Sequence, residues 1–129
     1  ALLGEVDVLV HVGHSRLLNI ESVVYVEGRS VLDVLPAVRK AASLLECERV
    51  GVITTVQHVH TLDGVCELLS SLGFVPIVAF GDARVPHRGQ VLGCDFSAAR
   101  CECEQLLYVG VSVFCVCDYI DEVNQAQAC

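Results

Sequence analysis

Short Val-rich runs recur along the chain, with stretches of helical spacing between them, and this alternation most narrows the folds open to it. Val6 to Val12 and Ser22 to Val26 are nearly continuous apolar segments. Each is far shorter than the ~20 residues a membrane helix needs. Such runs read as strands buried on both faces, the interior strands of a parallel sheet. From Ser30 to Glu46 the apolar residues Val31, Leu35, Val38, Ala42 and Leu45 recur every three or four positions, with Arg39 and Lys40 between them. That spacing predicts an amphipathic helix with Ser30 as its N-cap and Pro36 in its first two turns.

Arg49–Thr54 predicts a third strand. Thr61–Leu72 predicts a second helix, with Leu62, Val65, Leu68, Leu69 and Leu72 as its stripe and Gly73 as its stop. Pro76–Phe80 and Leu106–Gly110 predict two further strands, and Ser97–Glu104 a short helix. Between them, residues 81–93 are too polar and interrupted by Gly and Pro to form an element, and make the longest loop. Strands alternating with helices predict an α/β fold of three layers, a mostly parallel sheet flanked by helices. Ligands of such sheets sit beyond the carboxyl ends of the strands. This singles out Gly13-His14-Ser15, residues 55–60, residues 81–94 and whatever follows Gly110.

At 129 residues the chain is about one domain long, enough to bury roughly two-thirds of the surface its unfolded form exposes. With 53% hydrophobic residues it is no disordered segment. Its net charge of −8 is spread along the chain, so it offers no basic surface for nucleic acid. The expectation is a protein without membrane or nucleic-acid binding, in the cytoplasm. The start at Ala1, without an initiator Met, leads us to expect further residues upstream.

Eight cysteines, at 47, 66, 94, 101, 103, 115, 117 and 129, lack the C-x-x-C spacing of zinc ribbons. They read as reduced thiols, with Cys47 and Cys66 on helices as small core hydrophobes. Cys101-x-Cys103 and Cys115-x-Cys117 invite a zinc or redox reading, although a one-residue gap suits adjacent zinc ligands poorly. His58 and His60 could ligate a metal or serve as loop hydrogen-bonding groups. His14, at a strand end, could face a ligand, and His11 could do so or be an interior residue. Cys94 differs from the other thiols: it follows Gly93, closes the longest loop and precedes a helix start, where backbone N–H groups favour a thiolate.

Gly89-Gln90-Val91-Leu92-Gly93-Cys94-Asp95-Phe96-Ser97-Ala98-Ala99 resembles the cluster-cysteine segment of the archaeal diphthamide-synthesis enzymes. Asp7 to Ser15, Thr54 to His60 and Gly81-Asp82-Ala83-Arg84 resemble the same family, in the same order. The resemblance runs from about Val6 to Gly110, and from Val111 on it is lost. It implies a radical S-adenosylmethionine enzyme of unusual type, built from three similar α/β domains and acting as a homodimer. It further implies that each domain supplies one cysteine to a single [4Fe–4S] cluster, with Cys94 as the middle domain's ligand. His14, Gln57 and Arg84 are expected near it because they lie in the strand-end loops. The other two ligands would fall before Ala1 and after Cys129. The implied reaction moves the 3-amino-3-carboxypropyl group of S-adenosylmethionine to a histidine of translation elongation factor 2. One cysteine per domain agrees with three thiolates holding a cluster that keeps one iron open. On this reading residues 1–20 are the end of a preceding domain or the first strand of this one, 21–110 the middle domain and 111–129 a divergent tail. The alternatives are a non-catalytic α/β binding or scaffold module, and a small zinc or redox protein using the C-x-C pairs.

Overall fold

The computed structural model describes residues 5–16, 18–93 and 95–110, and the backbone of 114–118. The elements are β1 (Leu9–Val12), β2 (Val23–Val26), α1 (Leu35–Ala42), β3 (Arg49–Thr54), α2 (Leu62–Ser71), β4 (Val75–Ile77), β5 (Gln105–Val109) and β6 (Phe114–Asp118), with short 3-10 segments at Val56–Thr61 and Ser97–Ala99. Among the described residues no helix is long and apolar enough to cross a membrane.

Two sheets form. β1 and β2 pair in parallel by themselves, Leu9 opposite Val23, and the other four strands lie in the order β4-β3-β5-β6. β3 is parallel to both neighbours, whereas β6 runs antiparallel to β5. The mixed α/β class with parallel sheets and flanking helices agrees with the expectation. The strand at 114–118 lies in a stretch that the sequence left without an element.

Side chains alternate across β3 and β5, so each strand serves both faces. Val50 and Val52 of β3 join Leu107 and Val109 of β5 on one face, where Val38, Ala41 and Ala42 of α1 and Val65, Leu68 and Leu69 of α2 cover them. Ile53 and Leu106 point to the other face and meet Val91, Ala98 and Ala99. Both helices thus lie on one side, and the third layer is the irregular return from β4 to β5. The expected helix at 97–104 shrinks to the turn Ser97–Ala99: Asp95 caps Ser97, and the Cys101 and Cys103 amides bond carbonyls only two residues back, which closes tight turns instead of a helix.

Three further expectations are corrected. β1 and β2 are parallel but not interior: Val10, Val12, Val24 and Val26 stay exposed while alternate residues are half-covered. A run that is apolar on both faces therefore does not by itself bring a second layer over it. α1 begins at Leu35, not Ser30: Ser30 Oγ and Asp33 Oδ1 accept from the Leu32 and Leu35 amides in local turns, and Pro36 suits the first helical turn. Val31 is fully exposed. Cys47 lies in the turn after α1 rather than on a helix, while Cys66 is on α2. Helix α2 forms as expected, closed by Gly73 at φ +95°.

Candidate functional site

The carboxyl ends of the parallel strands converge, as in other α/β sheets, and the segment 78–95 is laid across them. After Ile77 the chain leaves β3, and residues 89–91 take over the vacated lane. The Thr54 amide donates to the Gly89 carbonyl at 2.7 Å and the Val91 amide to the Thr54 carbonyl at 2.8 Å. Gly89 permits this at φ +67°, since a Cβ there would stand 3.1 Å from the Val52 carbonyl oxygen and 2.8 Å from Val78.

This places Gln90, fully buried, against the end of β1. Its Nε2 donates to Ser15 Oγ at 2.7 Å, and Ser15 is also fully buried. Ser15 in turn bonds the Glu27 carboxylate, which receives His87 Nε2 at 2.8 and 2.9 Å. Burial pushes the Glu27 carboxyl up, but the bonds from His87 and Ser15 and the charges of His87 and Arg29 outweigh it and hold the group below its ordinary value. A continuous polar chain, Gln90–Ser15–Glu27–His87, thus ties the loop to both strands of the small sheet.

Leu92 and Asp95 bond each other in both directions, at 2.8 and 3.2 Å. They flank Cys94, which itself lies outside the described residues. The Asp95 side chain is buried and turned inward: Oδ1 accepts from the Ser97 amide at 3.0 Å and from Ser97 Oγ at 2.6 Å. Ser97 Oγ accepts in turn from the Asp82 amide at 2.7 Å, which pins the start of the loop to its end. The Ser97 hydroxyl, ahead of the Ser97 amide, Arg84 and Arg100, holds the Asp95 carboxyl below its ordinary value against burial. Arg84 lies 3.4 Å from Asp95 Oδ2. On the solvent side, a Cβ at Gly93 would meet nothing within 4 Å.

The three residues expected near Cys94 fall into two groups. Gln57 Nε2 donates to the Gly13 carbonyl at 3.0 Å, which holds the turn carrying His14 against β3. His14 is exposed and shares a 2.9 Å hydrogen bond with His11. Arg84 stands with Asp95 beside position 94. Among the described residues no hydrogen bond joins Arg84 to His14 or Gln57, and Gln90 connects the two loops instead. Sequence reasoning gave Gln90, Ser15 and Asp95 no role, although all three lie in the segments it singled out. A buried polar residue in a strand-end loop carries no local mark of its partner.

His58 is buried, and neither ring nitrogen has a hydrogen-bond partner among the described residues. Burial, then His60, lowers its proton affinity, so it sits as a neutral imidazole. Among the described residues no three His, Cys, Asp or Glu side chains gather as a metal site. Beside the Glu27–His87 pair opens a cleft of about 650 Å3, lined by Arg29, His60, Asp63, Phe80 and Arg88 among others. Its two guanidiniums outnumber its one carboxylate, so its field favours an anionic group.

Comparison with known proteins accords with this geometry. The sequence profile of the diphthamide synthesis protein family matches residues 2–123, and so extends beyond Gly110, where the motif-by-motif resemblance stops. The 2-(3-amino-3-carboxypropyl)histidine synthase of Pyrococcus horikoshii is 35% identical over 114 residues, 84% of this chain and 33% of that protein. The crystal structure of Dph2 from Pyrococcus horikoshii with a 4Fe-4S cluster superposes with a TM-score of 0.79 at 26% identity, over 96% of this chain and 45% of that one. A second Dph2 structure from the same organism gives the same TM-score and identity over 44% of its length. The chain thus spans about a third of the length of the curated relative and under half of the solved chains. A profile match over nearly all of its residues places this chain in the diphthamide synthesis protein family.

Proposed function

We propose that this chain is the middle α/β domain, one of three similar ones, of a 3-amino-3-carboxypropyl transferase acting in the first step of diphthamide biosynthesis. The observation that carries the reading is the agreement over 96% of the chain with a structure that holds a 4Fe-4S cluster. The chain's one-third share of its relative suits one domain of three. The pairing of β1 with β2 favours taking residues 1–20 as the first strand of the domain carried by 21–110, with 111–129 as its tail.

In this proposal Cys94 is one of three cysteine ligands of a [4Fe–4S] cluster, the other two lying on domains outside this chain. The surroundings suit such a ligand. Its neighbours Leu92 and Asp95 are bonded to each other, Gly93 faces open space, and Arg84 supplies positive charge beside a group whose thiolates make it anionic. When bound, the cluster would supply the electron that cleaves S-adenosylmethionine to a 3-amino-3-carboxypropyl radical, which adds to a histidine of translation elongation factor 2. Asp95 stays ionised and turned away from the turn, so it competes with no ligand. Gln57 positions the turn bearing His14. The full-length protein would be a cytoplasmic homodimer.

Anaerobic iron–sulfur reconstitution of the chain extended to all three domains tests this reading. We expect iron content and visible absorption of one [4Fe–4S] cluster, with both lost on Cys94→Ala. An extended protein without a cluster, or one whose cluster survives Cys94→Ala unchanged, would overturn it in favour of a non-catalytic scaffold module.

A further inference from the structure

Cys101 and Cys103 lie at the amino end of β3 and β5, on the face opposite the helices, and so at the other end of the sheet from the strand-end site. The chain turns tightly there, the Cys103 amide donating to the Cys101 carbonyl at 2.9 Å. Exposed Glu102 forms the tip and meets Arg49 at 3.4 Å. The two sulfur atoms stand 3.1 Å apart, with the Cys101 thiol donating to Cys103 Sγ. Gly51 makes the room: a Cβ there would be 2.8 Å from each sulfur and 2.7 Å from Leu106 Cδ2. Both thiols are only half-buried, so they can be reached from solvent.

We infer that Cys101 and Cys103 form a reversible dithiol–disulfide site that exchanges with small-molecule disulfides of the glutathione class. The geometry admits the bond. Two residues apart, the Cα atoms are at most roughly 7 Å from each other, the turn brings them closer, and the sulfurs need move only about 1 Å to reach the ~2.05 Å of a disulfide. The Cys103 sulfur is the attacking one, because the hydrogen bond from Cys101 lowers its proton affinity despite burial while Cys101 is pushed well above the ordinary thiol range. Cys103 thiolate attacks one sulfur of the small disulfide and expels a thiolate, leaving a mixed disulfide. That thiolate takes the Cys101 proton, and the Cys101 sulfur attacks Cys103 Sγ and expels the second thiolate. Overall, two protein thiols and one small disulfide give one protein disulfide and two small thiols, and two electrons leave the protein. So small a ring strains the bond, which keeps it readily reducible. The pair packs against the apolar cluster of Ile53, Leu106, Val91, Ala98 and Ala99.

The chain can be equilibrated in glutathione buffers from fully reduced to strongly oxidised, quenched with a thiol-alkylating reagent and mapped by mass spectrometry. Cleavage after Arg100 and Tyr108 isolates a peptide containing only these two cysteines. We expect it to pass from doubly alkylated to unalkylated with loss of two hydrogens as the buffer becomes oxidising, and to revert with dithiothreitol. Cys101→Ser should stop at a mixed disulfide on Cys103, and Cys103→Ser should abolish the transition. A peptide that stays doubly alkylated at the oxidised end, or that is linked to another cysteine, overturns the inference. Circular dichroism checks the folding of both variants, and if either unfolds, the wild-type map decides alone.

Discussion

Asp95 keeps a charge in a buried position because Ser97 gives its Oδ1 both an amide and a hydroxyl proton. With the folded-state value depressed, the unfolded chain takes up the proton first, near pH ~3.9. Its contribution is therefore complete above that pH and fades as pH falls through the lower, folded value. We expect Asp95→Asn to cost about 1–3 kcal/mol at pH 7, read from urea midpoints, and the difference from wild type to narrow toward pH 3. His58 works in the opposite charge sense but the same direction. Its buried ring resists protonation, whereas the unfolded chain protonates it below about pH 6.5, so stability from this residue falls as the solution is acidified. The urea midpoint should drop between pH 7.5 and 5.5 in wild type, and His58→Leu should flatten that drop.

Where an element's own residues determine it, the sequence predicted it well. α2 has its stripe and its Gly73 stop, and β3 is buried at all but its first residue. Elements shaped by local turns or distant partners were misplaced: α1 starts only after the turns at Ser30 and Asp33, and β4 ended at Ile77 because residues 89–91 enter beside β3. That entry depends on Gly89. Gly89→Ala combines a left-handed backbone with contacts of 2.8–3.1 Å, and we expect it to lower stability by about 1–3 kcal/mol. The loss should show in the thermal midpoint and in faster amide exchange at Thr54 and Val91.

Across the whole molecule the small and large sheets are joined at the strand ends by polar bonds: Gln57 to Gly13, Ser30 to Gln57, Gln90 to Ser15, and His87 to Glu27. Polar links between buried groups are sensitive to the loss of one partner, since the other is left unsatisfied. Gln90→Leu should cost about 1–3 kcal/mol. Hydrogen exchange should then quicken in β1 and β2 while β3 and β5 keep their protection. Uniform loss of protection across both sheets would instead mean that Gln90 supports the large core itself.

β1 to β5, both helices and the family resemblance were legible in the sequence, whereas β6 was not, and the helix expected at 97–104 is a single turn. Periodicity, turn residues and contiguous motifs are local properties, and they survive being read one residue at a time. Only the tertiary structure decided that Gln90 meets Ser15 across 75 positions, that Arg84 stands by Asp95 while His14 stands by His11, that both helices share one face, and that two thiols meet behind Gly51. These pairings follow from where each strand ends in space and what the intervening chain leaves room for. Neither is written in the residues that make the contact.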